Sequence, residues 1–329
     1  MRRVSDDSPR RVTLGTWPTP LEPAPTLAAR LGLDPKSFWI KRDDLVGLGA
    51  GGNKVRKLEF LCGAALAKGA TTLVTSGRAQ SNHARLTAAA ARHLGLGCVL
   101  VLGGDEPRSL AGNLALEAVL GVTVRFVGNL DDDGLDRAVE EQAAELTAAG
   151  ERVEVIPLGG SDAVGARGYV ECGAELDSQV PGLRHVVVAV GTGGTMAGLV
   201  AALGANRVLG VDVGATADPR IRVGRMLEAL SSEGVGADGV GHDLRLREDQ
   251  VGAGYGILTE GARRALLDAA RCEGIFLDPV YTAKALSGLA AAVREGDIRP
   301  EDATVFVHTG GLPGLFGHEF LTDPPTGSS

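Results

Sequence analysis

A single lysine stands directly behind a glycine-rich loop and opens a stretch of helical period. The loop and helix read GLGAGGNKVRKLEF, in which Asn53 and Lys54 follow Gly51 and Gly52. Glycines let the backbone approach a ligand closely, and an amine at such a place can act as a nucleophile or a base. A solvent-facing lysine in the first turn of a helix is the alternative reading of the same pattern.

The scarcity of lysine favours the interpretation of Lys54 as a nucleophile or base over a solvent-facing residue. The chain has six lysines among 33 basic residues, so arginine carries most of the positive charge. Only lysine can supply an amine that deprotonates, which arginine cannot do in a protein. The other lysines stand in helical or strand-like surroundings that predict solvent-facing charges: Lys36, Lys41, Lys57, Lys68 and Lys284.

A second glycine-rich loop has the pattern of a phosphate-binding site. An apolar strand predicted at 186–190 ends in the loop GTGGT and then a helix begins, whose free N–H groups favour an anion. The loop residues are Gly191, Thr192, Gly193, Gly194 and Thr195. Two alternatives stay open: a nicotinamide site with Asp212 on the ribose, although Met196 replaces the third glycine of that fingerprint, and a purely structural turn.

The segment TSGRAQSNHARLTAAAA predicts a further strand end followed by a helix. The Ser81 hydroxyl can cap this helix, which is expected to begin near Asn82. The first amides of the helix and the Asn82 side chain could bind a substrate carboxylate. We interpret His83 as a structural residue, because a histidine on such a helix more often packs than acts as a base.

Two of the three tyrosines fall in loops bounded by glycine or proline. They are Tyr255 in GYG and Tyr281 in DPVYT, where Thr282 follows, and Thr309 stands in a third glycine-bounded loop, HTGG. A buried core would more readily use phenylalanine or leucine at such positions. These residues are therefore candidates for the same site.

The elements that must position these loops alternate between strands and helices. Ala/Leu-rich segments of helical period, among them NHARLTAAAARHLG, LAGNLALEAVLG and TMAGLVAALG, alternate with apolar runs that predict strands. These runs are TTLVTS, CVLVLGG, TVRFVG, RVEVIPLGG, HVVVAVGTGG, RVLGVDVG and TVFVHTGG. Strands that are apolar on both faces belong to parallel sheets covered by helices, so the pattern predicts an α/β fold.

Composition excludes several classes of protein. The 329 residues carry a formal net charge of −8 and no basic run, which argues against binding nucleic acid. No apolar stretch is long enough to span a bilayer, and the first residues lack the apolar core of a signal peptide, so we expect a cytoplasmic protein without membrane association. The four cysteines are widely spaced, which predicts neither a disulfide nor a metal site.

Together these motifs resemble the fold-type II pyridoxal-phosphate (PLP) enzymes of the D-cysteine desulfhydrase and 1-aminocyclopropane-1-carboxylate (ACC) deaminase family. The resemblance extends from TPLEPAPTLAARLG at Thr19 to HTGG at Thr309. It implies that Lys54 carries PLP, that Ser81 and Asn82 flank the cofactor and substrate, and that the GTGGT loop binds the phosphate. It also implies that Tyr255 and Tyr281 lie over the substrate.

The resemblance further implies a two-domain layout like that of the tryptophan synthase β subunit, with a mostly parallel sheet in each domain and PLP in the cleft. We predict a larger PLP-binding domain formed by 1–56 and 161–329, and a smaller domain at 57–160. Members of the family commonly form homodimers, so a homodimer is also expected.

Within the family, two residues favour the desulfhydrase branch. Thr282 follows DPVY where ACC deaminases have an acidic residue, and His83 follows the SN pair where the deaminases tend to have glutamine. A neutral hydroxyl partner for the pyridine nitrogen, from Thr282 or Thr309, would suit elimination. We therefore predict a carbon–sulfur lyase that acts on D-cysteine or a similar β-substituted amino acid and gives pyruvate, ammonia and sulfide, with Lys54 as general base.

Four alternatives to the carbon–sulfur lyase remain open from the sequence. An ACC deaminase and a sulfo-lyase or biosynthetic enzyme belong to the same family. A nicotinamide-dependent oxidoreductase would instead use the Gly191 loop and Asp212. A metabolite-binding protein would retain the phosphate site without turning over any amino acid.

Overall fold

The computed structural model describes residues 11–236 and 243–321. The strands are β1 Leu21–Pro23, β2 Phe38–Arg42, β3 Thr72–Arg78, β4 Gly97–Gly103, β5 Thr123–Phe126, β6 Val153–Ile156, β7 His185–Val190, β8 Val208–Asp212, β9 Arg245–Arg247 and β10 Thr304–His308. The α-helices are α1 Pro25–Leu31, α2 Lys54–Ala67, α3 Asn82–His93, α4 Gly112–Leu120, α5 Asp132–Ala148, α6 Ala163–Gln179, α7 Gly194–Leu203, α8 Pro219–Ser232, α9 Glu260–Glu273, α10 Thr282–Arg294 and α11 Leu312–Phe316.

The strands form two sheets. The larger sheet has the order β1-β2-β10-β7-β8-β9, and the smaller has the order β5-β4-β3-β6. All neighbours within them run parallel except β1, which pairs antiparallel with β2. The α/β class with mostly parallel sheets is thereby confirmed, and the strands of the smaller sheet all lie between residues 72 and 156. The domain boundaries given above stay a prediction.

Parallel strands place their carboxyl ends at one edge, and the predicted chemical motifs follow those ends. In the smaller sheet Ser81 follows β3, while in the larger sheet the Gly191 loop follows β7 and Thr309 follows β10. Ligands of open α/β sheets bind outside the carboxyl ends of the strands. The topology therefore places the predicted chemical motifs at the carboxyl ends of the strands in both sheets.

Helices cover both sheets and bury separate apolar cores. One core packs α1, α9 and α10 against one face of the larger sheet, and a second packs α6, α7 and α8 against the other face. A third core lies between α2, α3 and the smaller sheet. Helix α7 is buried along nearly its whole length, which fixes the loop before it.

The apolar runs predict seven of the ten strands correctly, β3 to β8 and β10, and helices α3, α4 and α7 also lie where predicted. Three short strands were missed, because β1 and β9 have three residues each and β2 reads FWIKR, with two charges at its end. Lys41 in β2 is nevertheless fully buried, since Glu175 lies 2.9 Å from its ammonium. All four cysteines are free, as expected.

No helix within 11–236 and 243–321 combines the length and the apolar character needed to cross a membrane.

Candidate active site

A cavity of about 250 Å³ lies where the carboxyl ends of the two sheets meet. It brings together most of the residues singled out from the sequence: Asn53, Lys54, Ser81, Asn82, Gly191, Thr192, Gly193, Thr195, Tyr255, Tyr281 and Thr309. Gly194 and Thr282 do not line the cavity, although their neighbours in the sequence, Gly193, Thr195 and Tyr281, do.

Lys54 is the first residue of α2, and the loop before it is held by close backbone contacts. Gly52 has a φ of +128°, and a Cβ there would lie 3.1 Å from the Thr309 carbonyl oxygen. The amide of Asn53 donates to that same oxygen at 3.0 Å, and the Asn53 side chain donates to Thr195 Oγ1 at 3.0 Å. The residue before Lys54 is thus bonded to the loop after β10 and to the first turn of α7.

The amine of Lys54 is easier to deprotonate than an ordinary lysine. Burial lowers its pKa to about 8, although a hydrogen bond with Lys57 opposes the effect. Burial, and then the charge of Lys54, lower the pKa of Lys57 well below its usual value. Two neighbouring amines in one cavity create a place for an anion, and a lowered pKa is what a nucleophilic or basic lysine needs.

Lys57 connects the Lys54 helix to the glycine-rich loop. Its ammonium donates to Ser161 Oγ at 2.9 Å and to the Gly159 carbonyl at 3.2 Å. Ser161 Oγ in turn lies 2.6 Å from Thr192 Oγ1. Lys57 is 1% exposed, so the prediction that it faces solvent is wrong, as it also is for Lys41 and Lys284. The helical period placed Lys57 one turn after Lys54 but could not show that this turn faces inward.

The loop before α7 has the geometry of a phosphate site. Gly193 has a φ of +89°, which favours glycine, and Thr192 and Thr195 line the cavity beside it. The first N–H groups of a helix have no intrahelical acceptors and bind anions well. With Lys57 opposite, these residues fit a phosphate group, and the nearby Lys54 amine fits the aldehyde of PLP.

Replacing Gly194 by alanine should weaken retention of PLP. A Cβ at this position would lie 2.8 Å from both Lys57 Nζ and Ser161 Oγ, so the ammonium must move away. Loss of one hydrogen bond to a charged group corresponds to roughly a tenfold rise in Kd. The measurement is a PLP titration of the cofactor-free protein, and replacing Gly193 as well should enlarge the effect.

Gly224→Ala is the matched control for this prediction. Gly224 lies within α8, and a Cβ there meets nothing within 4 Å. Its PLP affinity should equal that of the wild type. An unchanged Kd for the Gly194 variant would show that the phosphate binds elsewhere.

Ser81 caps α3 as predicted, and the helix begins at Asn82. Ser81 Oγ accepts from the Ala84 amide at 3.1 Å. The Asn82 side chain accepts from Asn113 Nδ2 at 3.1 Å, which fixes its amide in orientation. The beginning of α3 therefore presents oriented donors to the cavity.

His83 is neutral and packs against the smaller sheet. The Thr75 hydroxyl donates its single hydrogen to the Ile156 carbonyl at 2.8 Å. Thr75 Oγ1 can therefore only accept from His83, so His83 Nε2 is the donor of their hydrogen bond, also at 2.8 Å. Burial, followed by the charges of Lys54 and Lys57, lowers the pKa of His83 well below its usual value. This geometry favours the structural interpretation of His83.

Tyr281 and Tyr255 contact each other at the lining of the cavity. Their hydroxyls are hydrogen-bonded, and their rings meet edge to face with centroids 6.0 Å apart. Burial, and then the neighbouring Tyr255, raise the pKa of Tyr281 well above its usual value. The Tyr281 phenol therefore stays protonated and can donate a proton or a hydrogen bond.

Asp278 orders the turn that carries Tyr281. Its carboxylate accepts from the amides of Val280, Tyr281 and Thr282 at 2.8 to 3.0 Å. The Thr282 hydroxyl also donates to it, at 2.7 Å. Thr282 thus contacts Asp278, while Thr309 lines the cavity. Sequence reasoning missed Asp278, although an aspartate two to four residues before such a turn is a recognised cap signal.

Within residues 11–236 and 243–321, Asp212 makes no contact that supports a ribose site. It ends β8, and its carboxylate accepts from the Gly214 amide at 2.9 Å. Asp212 is not among the residues that line the cavity. The geometry gives no support to the nicotinamide alternative.

A buried ion-pair network, which sequence reasoning missed, holds α2 through Arg56. Arg56, two residues after Lys54, donates to both carboxylate oxygens of Asp43 at 2.9 and 3.0 Å and to Glu175 at 2.9 Å. Tyr169 also donates to Asp43. A fully satisfied network of this kind rigidifies the element that carries Lys54.

Comparisons with known proteins agree with this geometry. The family described as "Pyridoxal-phosphate dependent enzyme" matches residues 12–310. A protein of Pyrococcus abyssi named "Putative 1-aminocyclopropane-1-carboxylate deaminase" is 42% identical over 94% of this chain and 95% of its own length. The D-cysteine desulfhydrase of Salmonella schwarzengrund is 39% identical over 94% and 96%. A crystal structure described as an ACC deaminase homologue superposes with a TM-score of 0.86 at 38% identity, covering 94% of both chains.

Proposed function

Because the chain belongs to the PLP-dependent enzyme family that includes the ACC deaminases and D-cysteine desulfhydrases, we propose that it eliminates the β-substituent of an amino acid. The proposed substrate is D-cysteine or a close analogue, and the products are pyruvate, ammonia and sulfide. The homodimer and the cytoplasmic location expected from the sequence stay predictions.

One observation carries the choice of elimination over opening of the ACC ring. Among the described residues that line the cavity, Asp132 is the only carboxylate, and it lies 3.9 Å from the guanidinium of Arg78. At the end of β10 the cavity is lined by Thr309, which is neutral. A carboxylate next to the pyridine nitrogen would keep the ring cationic and stabilise a long-lived carbanion. A sulfide leaving group departs without that help.

The residues of the cavity supply the remaining functions. Thr192, Gly193 and Thr195 with Lys57 would hold the phosphate, and the beginning of α3 at Ser81 and Asn82 would bind the substrate carboxylate. Bound PLP supplies the electron sink for the reaction. In this proposal the Lys54 amine would accept the Cα proton, and the Tyr281 hydroxyl would donate a proton to the departing group.

The test is a comparison of product formation from several substrates at equal enzyme concentration. We expect pyruvate from D-cysteine and from β-chloro-D-alanine, and little or no 2-oxobutyrate from ACC. Sulfide released from D-cysteine in equal amount to pyruvate would identify the bond that breaks.

Efficient formation of 2-oxobutyrate from ACC, without pyruvate from β-substituted alanines of either hand, would contradict the proposal. The similarity to the Pyrococcus abyssi relative makes ACC deaminase the second candidate. That outcome would leave the PLP site at Lys54 unaffected.

A further inference from the structure

A fully buried arginine joins the helix that would bind the substrate carboxylate to the loop that carries Lys54. Arg85 lies on α3 one turn after Ser81, and its amide donates to the Ser81 carbonyl at 3.2 Å. Arg85 is 0% exposed, and its Nη2 donates to the Gly51 carbonyl at 2.9 Å. Because Gly51 comes shortly before Lys54, one guanidinium connects the two segments at which substrate and lysine must meet.

The backbone that Arg85 holds has an uncommon conformation. Four consecutive residues of the loop have a positive φ, from +54° to +128°: Gly49, Ala50, Gly51 and Gly52. Ala50 carries a Cβ, and the left-handed region is disfavoured for such a residue, so the conformation persists only where surrounding contacts determine it. The hydrogen bond from Arg85 is one of those contacts. Leu86 provides another, since a Cβ at Gly52 would lie 3.5 Å from Leu86 Cδ1.

Glu117 on α4 is the acid whose charge acts on Arg85, and it is also 0% exposed. Burial raises the pKa of Glu117 to about 8, and the charge of Arg85 opposes that rise. Burial lowers the pKa of Arg85 to about 10, and Glu117 opposes that fall. Within the described residues, Arg85 Nε and Nη1 and both carboxylate oxygens of Glu117 have no hydrogen-bond partner. Buried charges that are bonded so sparsely cost stability, which indicates a role in the site rather than in folding.

We propose that Arg85 is a positioning residue, which fixes the Lys54 amine against the Cα of a substrate whose carboxylate binds at the beginning of α3. The inference rests on the proposed elimination, in which Lys54 takes the Cα proton, and adds the residue that sets the geometry of that step. A hydrogen bond from a charged donor is stronger than one between neutral groups. A displacement of about 1 Å at a reacting group can lower a rate by about 10²-fold, so a shift of the Gly51 carbonyl would be felt at Lys54.

The experiment measures D-cysteine turnover by the PLP-loaded enzyme and the attachment of PLP to the cofactor-free protein. Arg85→Met removes the hydrogen bond but retains most of the buried volume. It should lower kcat roughly 10- to 100-fold, as expected for losing a hydrogen bond from a charged group, while KM stays within about twofold. After PLP is added, the visible band should form more slowly by a similar factor, because the same amine must reach the aldehyde.

Proton exchange with alanine separates this proposal from the proposed elimination, because alanine has no leaving group. In heavy water, the Cα proton passes to Lys54 Nζ and exchanges with solvent, and a deuteron returns to the same carbon. NMR spectra of alanine of each hand give the rate, which Arg85→Met should lower by the same factor as kcat. If D-cysteine gives no pyruvate but Arg85→Met still slows exchange or PLP attachment, the elimination fails while the role of Arg85 stands.

Two further variants distinguish positioning from balance of the buried charges. Combining Glu117→Gln with Arg85→Met removes both charges, so it should recover much of any melting temperature that Arg85→Met loses, but kcat should stay low. Arg85→Lys should recover part of kcat, because its ammonium retains a charged donor for the Gly51 carbonyl. Full recovery of kcat in the double variant would show that Arg85 only neutralises Glu117, and would overturn the proposal.

Arg92→Met is the matched control on the same helix. Arg92 lies two turns after Arg85, is exposed, and donates to the Leu120 carbonyl at 2.8 Å instead of the loop before Lys54. It should keep kcat, alanine exchange and PLP attachment within about twofold of the wild type. Wild-type kcat and attachment rates in Arg85→Met would contradict the proposal. A raised KM with unchanged kcat would assign Arg85 to substrate binding and would contradict it as well.

Discussion

Replacing Lys54 by alanine should remove the covalent attachment of PLP and lower turnover by at least about 10³-fold, the scale on which loss of a central catalytic group is felt. The physical reason is the environment of the amine. Burial brings its pKa to about 8, so a useful fraction is neutral and nucleophilic near neutral pH. Visible absorption of the purified protein and borohydride reduction followed by peptide mapping provide the measurement.

Two other lysines test whether the effect is specific. Lys57→Ala should bind PLP more weakly but regain the visible band at high PLP concentration, because the Lys54 amine is still present. Lys68→Ala is the surface control, since Lys68 follows the same helix and pairs with Glu154 in solvent. Cofactor mapped to a peptide without Lys54, or a normal visible band in the Lys54 variant, would contradict the assignment.

The predictable part of the fold is the part that depends on local patterns. Apolar runs of four to seven residues correspond to the strands β3 to β8 and β10, and the serine before Asn82 correctly marks the beginning of α3. The separation into two sheets depends on which strands pair, and pairing is a long-range property that no local run contains. Short strands such as β9, whose three residues are all half-buried, have no pattern to detect.

The candidate site also has a part that local sequence patterns predict and a part that they do not. Loops that follow parallel strands converge, so Lys54, Ser81, Thr192 and Tyr281 could be expected to line one cavity. The inward direction of Lys57 could not, because it depends on Ser161 and Gly159, more than 100 residues further along the chain. The hydrogen-bond partners of a buried polar side chain can be identified only from the tertiary structure when they lie far away in the sequence.

The loop that carries Tyr255 illustrates this. Lys284 is fully buried and was expected to face solvent, but its ammonium donates to the carbonyls of Val251 and Gly254 at 2.8 and 3.0 Å. These hydrogen bonds fix the loop just before Tyr255. Its position within an Ala/Leu-rich helix gave no sign of that role.

Tyr281→Phe should lower kcat by roughly 10² to 10⁴-fold, the usual contribution of a positioned proton donor. Tyr281 is held by Asp278 through its own amide, and its raised pKa keeps the phenol protonated for donation to the departing group. PLP affinity should not change, because the residues proposed to bind the phosphate lie on α2, in the loop before α7 and in the first turn of α7.

Tyr255→Phe is the comparison that gives this prediction its specificity. Tyr255 is 37% exposed on its loop, and its removal leaves the Tyr281 hydroxyl in place, so the expected loss in kcat is at most about tenfold. Steady-state kinetics with D-cysteine, together with the visible spectrum as a check of cofactor binding, provide the measurement. If Tyr255→Phe were the more damaging change, or if Tyr281→Phe kept near wild-type kcat, the proton would have to come from another group, and the exposed phenol or water would take the place of Tyr281 in the proposed reaction.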